Sequence, residues 1–296
     1  MVILNSRKTI NHKQMKFTLL AASLAVLSLG ACHTNQETTS AGFADSTKIV
    51  SLSGAISEVL AGAGLEKNIA GTDITSNYPE ALKVKPKVGH NRNINAEGIL
   101  ALRPDLIIGL KKDFNPALTA QFKTAGVKLL LVDQEYSVKG TKQLIRTLTD
   151  SLHVSAKGDS LISIVDTELA KVKPATHKPK VLFIYARGAG TIMVGGTGTQ
   201  VETAISLAGG QNAVTEFADY KPLTAEALVK ANPDIILLFD SGLQSLGGPE
   251  GVAKIQGIKE TNAGKNKKII SMDGELLGSF GPRLGIAIQE LAAKIN

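Results

Sequence analysis

One cassette occurs twice in this chain, and it restricts the fold more than any other feature. "NAEGILALRPDLII" spans Asn95 to Ile108, and "TAEALVKANPDIIL" spans Thr224 to Leu237. Ala96, Glu97, Pro104 and Asp105 recur as Ala225, Glu226, Pro233 and Asp234, each pair 129 positions apart. Read locally, each copy is a short helix with an N-capping Asn or Thr, an acid in its first turn where the helix dipole favours it, a proline that stops it, and a buried strand. A chain that uses such a unit twice at one spacing is expected to build two related halves.

The flanking pattern agrees. From Lys48, "KIVSLS" reads as a strand and "GAISEVLAGAGL" as a helix ending in glycines. Strands are expected again at Asp105–Leu110 and Val127–Asp133, with the helical "ALTAQFKTAG" between them, and that alternation predicts a parallel sheet with covered faces. The pattern restarts at "KVLFIYA", continues through "GTQVETAISLAGG" and the second cassette, and closes with "KKIISMD" and "RLGIAIQELAAKI". Between the halves, Gly140 to Val172 contains no proline and carries a helical apolar stripe from Leu144 to Leu169, which predicts one long helix with a weak point near Lys157-Gly158. The expected fold class is therefore α/β, two lobes flanking one long helix. The boundaries are 47–138 for the first lobe, 139–173 for the linking helix and 178–296 for the second lobe.

The N-terminal end has a different character. From Met15, "MKFTLLAASLAVLSLGAC" is an apolar run of signal-peptide length, shorter than a spanning helix needs, and it stops at Leu29-Gly30-Ala31-Cys32. That ending resembles the lipobox of bacterial lipoprotein signal peptides, which implies cleavage after residue 31, lipidation of Cys32 and a membrane anchor. Residues 32–46 are small and polar, as expected of a flexible tether. Cys32 is the only cysteine, so no disulfide is expected. Removing Arg7, Lys8, Lys13 and Lys16 with the leader lowers the net charge from +7 to +3, and the chain has no tryptophan. Nothing in that balance suggests nucleic acid.

"KVGHNRNINAEGILALRPDLII" and "YKPLTAEALVKANPDIILL" resemble the substrate-binding proteins of bacterial ABC importers for heme, vitamin B12 and ferric siderophores, and most closely their heme-binding branch. The resemblance covers nearly all of the chain beyond the tether. It implies a periplasmic-binding-protein type fold, two Rossmann-like lobes joined by a rigid backbone helix, and a monomer that delivers its ligand to a dimeric permease. It also gives Glu97 and Glu226 a second role, as the two acids that dock on the permease, one per lobe. The heme branch has a tyrosine iron ligand after Val-Gly, and here that position is His90. Imidazole is also a common axial ligand, so the resemblance implies a change of ligand with heme retained.

A porphyrin also needs cations for its propionates and apolar faces for its ring. Arg92 and Arg187 are the expected propionate partners, because a guanidinium pairs bidentately with a carboxylate. Tyr185, Met193, Tyr220 and Met272 are candidate cleft residues, with Tyr220 or Met193 as a second axial contact. The glycines of "GAGTIMVGGTGTQ" suggest a strand-to-helix turn where such sheets bind ligands, without the dinucleotide fingerprint. A bare-metal receptor would need several histidines together, but His33, His153 and His177 fall in the tether, the long helix and the linker. No nucleophile, base and acid occur in a recognisable catalytic order, so an enzyme is not expected. A ferric siderophore or vitamin B12 receptor of the same family is the alternative.

Overall fold

The computed structural model describes residues 46–90, 93–188, 190 and 192–296, all within one compact unit, Gly42–Asn296. The expected signal segment, Cys32, the tether and Arg92 lie outside the described residues.

The first lobe runs β1 (Ile49–Ser51), α1 (Gly54–Gly62), β2 (Ile69–Thr72), α2 (Ala96–Leu100), β3 (Leu106–Leu110), α3 (Pro116–Thr124) and β4 (Lys128–Val132). Its four strands are all parallel in the order β2-β1-β3-β4. Ile49, Val50, Ile107 and Ile108 are fully buried, because both faces of the sheet are covered.

The connector is a helical hairpin. α4 (Val138–Ser151) ends at Leu152, His153 takes a left-handed φ of 57°, and α5 (Ser155–Ala170) starts in the reverse direction. Lys142 pairs with Asp166 and Arg146 with Asp159, which fixes the two helices as antiparallel. Gly158 lets them approach, since a Cβ there would lie 2.1 Å from Thr149 Oγ1. The expected single helix over 139–173 is thus divided. Leu144, Ile145 and Leu148 of α4 sit in the first-lobe core together with Leu161 and Val165 of α5, and Leu169 packs against the cores of both lobes. The helix that links the lobes is α5, and α4 covers the first lobe.

The second lobe contains β5 (Lys180–Ala186), β6 (Ile192–Gly195), α6 (Gln200–Leu207), β7 (Gln211–Asn212), β8 (Tyr220–Pro222), α7 (Ala225–Ala231) and β9 (Ile235–Phe239). It continues with α8 (Asp240–Ser245), α9 (Gly248–Val252), α10 (Asn262–Lys265), β10 (Ile269–Met272), α11 (Gly274–Gly278) and α12 (Leu284–Ile295). The strand order is β10-β9-β5-β6-β8, with β7 also on β5. β10, β9, β5 and β7 are parallel, whereas β6 and β8 join antiparallel. The glycine-rich stretch expected to be a turn therefore contains the strand β6. α12 lies against α5 at Gly285, where a Cβ would come within 2.5 Å of Glu168 Cβ.

The cassette's Pro-Asp gains a reason in the fold. The Lys48 N–H donates to Asp105 Oδ2 at 2.8 Å, and the Lys180 N–H donates to Asp234 Oδ2 at 2.9 Å. In each lobe the aspartate at the entrance of one strand ties down the start of its neighbour. Asn95 and Thr224 cap α2 and α7 as expected, accepting from Glu97 N and Gly98 N, and from Ala227 N. No helix among the described residues is long and apolar enough to cross a membrane.

Candidate functional site

A cleft of about 520 Å³ lies between the lobes. Its walls are the loops that follow β1, β3, β4, β5, β9 and β10, the carboxyl ends of parallel strands, where such sheets leave room for a ligand.

His90 enters from the first lobe on a segment pinned to the sheet edge. Thr72 and Lys87 form a parallel bridge, Val88 N–H donates to Thr72 O at 2.9 Å, and Ile74 N–H donates to Gly89 O at 3.0 Å. Gly89 has φ 100°, a conformation that costs a side chain, and this turn swings His90 into the cleft. Lys87 Nζ secures the segment from beneath by donating to Thr72 Oγ1 at 3.0 Å, Leu82 O at 3.1 Å and Ser76 O. Burial pushes the Lys87 ammonium down from the usual lysine range, while Asp73 pulls it up. Asp73 is itself fully buried and accepts from Thr75 N–H and from the hydroxyls of Thr75 and Ser76.

The second-lobe wall is aromatic. Phe183 and Tyr185 alternate on one face of β5, and Arg187 continues the series just beyond the strand. Tyr185 lies 6.1 Å from Tyr220 and 6.3 Å from Phe239 by ring centroids, and Phe183 lies 4.7 Å from Phe239. Met193 is the cross-strand partner of Tyr185 on β6. The Arg187 guanidinium sits 5.6 Å over the Tyr185 ring. Tyr185, Arg187, Met193, Tyr220 and Phe239 all line the cleft. Met272 does not, because it is buried in the second-lobe core.

At the base of the cleft, the second-lobe segment Gly274 to Arg283 grips the first lobe. Glu275 accepts from Asn77 N–H at 3.0 and 2.9 Å and from Tyr78 N–H at 3.1 Å. Burial pushes the Glu275 carboxyl up to about 7, against the pull of those N–H groups. Gln134 Nε2 donates to Ser279 O at 2.7 Å, and Thr141 Oγ1 donates to Phe280 O at 3.0 Å. Arg283 pairs with the buried Glu58 at 2.6 Å and lies 3.6 Å over the Tyr78 ring. Burial raises the Glu58 carboxyl more than Arg283 lowers it.

His90, Arg187, Met193 and Tyr220 all line this one cavity. Glu97 and Glu226 are exposed in the first turns of α2 and α7, apart from the cleft lining. Lys112, Tyr136 and Glu275 line the cleft without having been singled out in the sequence. The period-2 spacing of Tyr185 and Arg187 could have revealed them as a pair; the other three carry no local signal. Among the described residues, no three or more His, Cys, Asp or Glu gather as a bare-metal site.

Comparison with known proteins adds the family context. A family model described as Periplasmic binding protein matches residues 49–276. The uncharacterized ABC transporter substrate-binding lipoprotein YvrC of Bacillus subtilis (strain 168) is 28% identical over 255 residues, covering 84% of this chain and 79% of that protein. A vitamin B12-binding protein of Photorhabdus laumondii is 23% identical over 257 residues, covering 86% of this chain and 90% of that protein. Among solved structures, the periplasmic heme-binding protein RhuT from Roseiflexus sp. RS-1, in apo form, superposes with a TM-score of 0.80 at 36% identity, over 84% of this chain and 97% of that one. The heme-binding protein HmuT with a tyrosine replaced by alanine superposes at 0.77 and 26% identity, over 84% of this chain and 80% of that one. Further HmuT structures replace a histidine, and an arginine two residues beyond that tyrosine.

Proposed function

The chain belongs to the periplasmic binding protein family, as the substrate-binding protein of an ABC transporter, and from that premise we propose that its substrate is heme, held between His90 and Tyr185. The observation that carries this reading is the convergence of an imidazole from one lobe and a tyrosine from the other on a cleft with an aromatic wall. An imidazole and a phenolate are both established axial ligands of heme iron, and flat aromatic walls suit a porphyrin. Tyr185 is preferred to Tyr220 or Met193 as the second ligand because Arg187 sits over its ring, a cation that offsets the charge of an iron-bound phenolate. The same tyrosine, any residue, arginine spacing is the one altered in the HmuT variants. Arg187 serves one propionate, while Met193 and Tyr220 pack beside the ring.

Delivery follows capture. Glu97 and Glu226, one on each lobe and both exposed, dock the loaded protein on the two permease subunits. Lipidated Cys32 tethers it to the extracytoplasmic face of a membrane, a reading supported by the lipoprotein name of the Bacillus relative. The clamp from Gly274 to Arg283 restricts closure to a small motion, because it hydrogen-bonds to several first-lobe segments at once.

The test is a hemin titration of wild type, His90→Ala and Tyr185→Phe, read by absorbance at the Soret band. Saturable binding in wild type, with a weakened or shifted Soret band in each variant, is expected. Saturable vitamin B12 binding without hemin binding would replace this reading with that of the Photorhabdus relative. Unchanged spectra in the variants would retain heme and discard these ligands.

A further inference from the structure

Resting on the heme reading and sharpening it, we propose that Lys112 makes the cleft selective for a macrocycle with ionised carboxylate arms over one whose arms are amidated. Two adjacent lysines leave the end of β3 and meet different fates. Lys111 pairs with Asp133 at 2.6 Å and lies outside the cleft lining. Lys112 turns into the cleft, where its ammonium donates to Tyr136 Oη at 3.0 Å and lies 5.1 Å from the ring centroid. It forms no ion pair among the described residues, and neither does Arg187 on the opposite lobe.

Two of the acids around the same cleft are already engaged. Asp273 Oδ1 accepts from Leu276 N–H at 2.7 Å and so caps α11, and Glu275 accepts from Asn77 and Tyr78 across the base. Asp113, the third, ends the same turn as Lys112. The cleft thus presents one aromatic-held cation from each lobe. Tyr136, itself packed edge-on against Phe280 at 5.6 Å, keeps the ammonium aimed inward at a small entropic cost.

Heme carries two carboxylates, whereas the peripheral acids of a corrinoid are amides. A cation that must lose water to admit a ligand is repaid by a carboxylate and left poorly paired by an amide, so it discriminates by rejection as well as attraction. Arg187 takes one arm and Lys112 the other.

The experiment compares hemin with hemin dimethyl ester, whose carboxylates are blocked, on the full protein as wild type, Lys112→Met and Lys112→Arg. Wild type should prefer hemin to the ester by roughly tenfold or more, the scale of one well-placed charge pair. Lys112→Met should cut that preference severalfold by weakening hemin alone, leaving the share that Arg187 contributes, with the Soret maximum unmoved because the lysine is not an iron ligand. Lys112→Arg should restore it. A hemin-to-ester ratio unchanged by Lys112→Met, or hemin and ester weakened equally, would overturn the assignment to Lys112 and leave the heme reading standing. Binding of neither compound by wild type would overturn the heme reading itself, and this proposal with it.

Discussion

Glu275 couples the grip between the lobes to pH, and the direction of the coupling can be worked out. Its carboxyl is half-buried at the cleft base, raised to about 7 from an ordinary 4.5 chiefly by loss of water, with Glu58 adding to the rise and Arg283 opposing it. Lys83 and Lys87 also lie within reach of its charge. The folded protein therefore holds the proton more tightly than the unfolded chain does. The stabilisation that results is fully present below the unfolded value, declines as pH rises and is gone above the folded value of about 7. At full strength that difference corresponds to about 3 kcal/mol, and solvent screening of a half-buried group leaves roughly 1–2 kcal/mol. Glu275→Gln keeps an oxygen for Asn77 and Tyr78 but never ionises. Thermal unfolding of both proteins from acid to mildly alkaline pH should show the variant's Tm rising relative to wild type across that window, by roughly 2–8 °C in all. Glu58, also raised, is present in both proteins, so only its repulsion with Glu275 enters the difference, and that repulsion acts in the same direction. A Tm difference that is flat with pH, or that falls as pH rises, would refute the argument that burial of a charge dominates at this contact.

Arg283→Met strands the Glu58 carboxyl in the interlobe interface, and a loss of about 3–5 kcal/mol is expected; the double variant Glu58→Met with Arg283→Met should recover most of it in denaturant unfolding. Equal losses in the single and double variants would show that packing, not the unpaired charge, sets the cost. Charge reversal at Glu97 and Glu226 together should abolish uptake through the transporter in vesicles and leave hemin affinity within about twofold, since both side chains stand outside the cleft. Loss of hemin binding in that variant would refute a docking role.

The two-lobe plan was legible because its signals are local. Strands such as "KVLFIYA" and "DIILLF" are short apolar runs that sit where expected, and the caps at Asn95 and Thr224 follow from residue type alone. His90, which lines the cleft, was singled out by the resemblance of the motif around it. The hairpin of α4 and α5 was not, because an apolar stripe with helical spacing is the same whether the chain runs on or folds back. The reversal falls at His153, which is neither glycine nor proline, while Gly158, where a break was expected, serves the contact with Thr149.

The sequence alone placed most of the strands and helices and their arrangement as two related halves, because those signals are periodic and local; His90 was singled out by the resemblance of the motif around it. Tertiary structure decided which side chains share the cleft and how the lobes hold each other. Lys112 and Tyr136 meet 24 positions apart, and Glu275 finds Asn77 across 198. Its partners are backbone N–H groups, which every residue but proline possesses, so nothing in the sequence marks the contact. The proton affinity of Glu275 comes from the water that the packed lobes exclude, a property of the fold that no single residue carries.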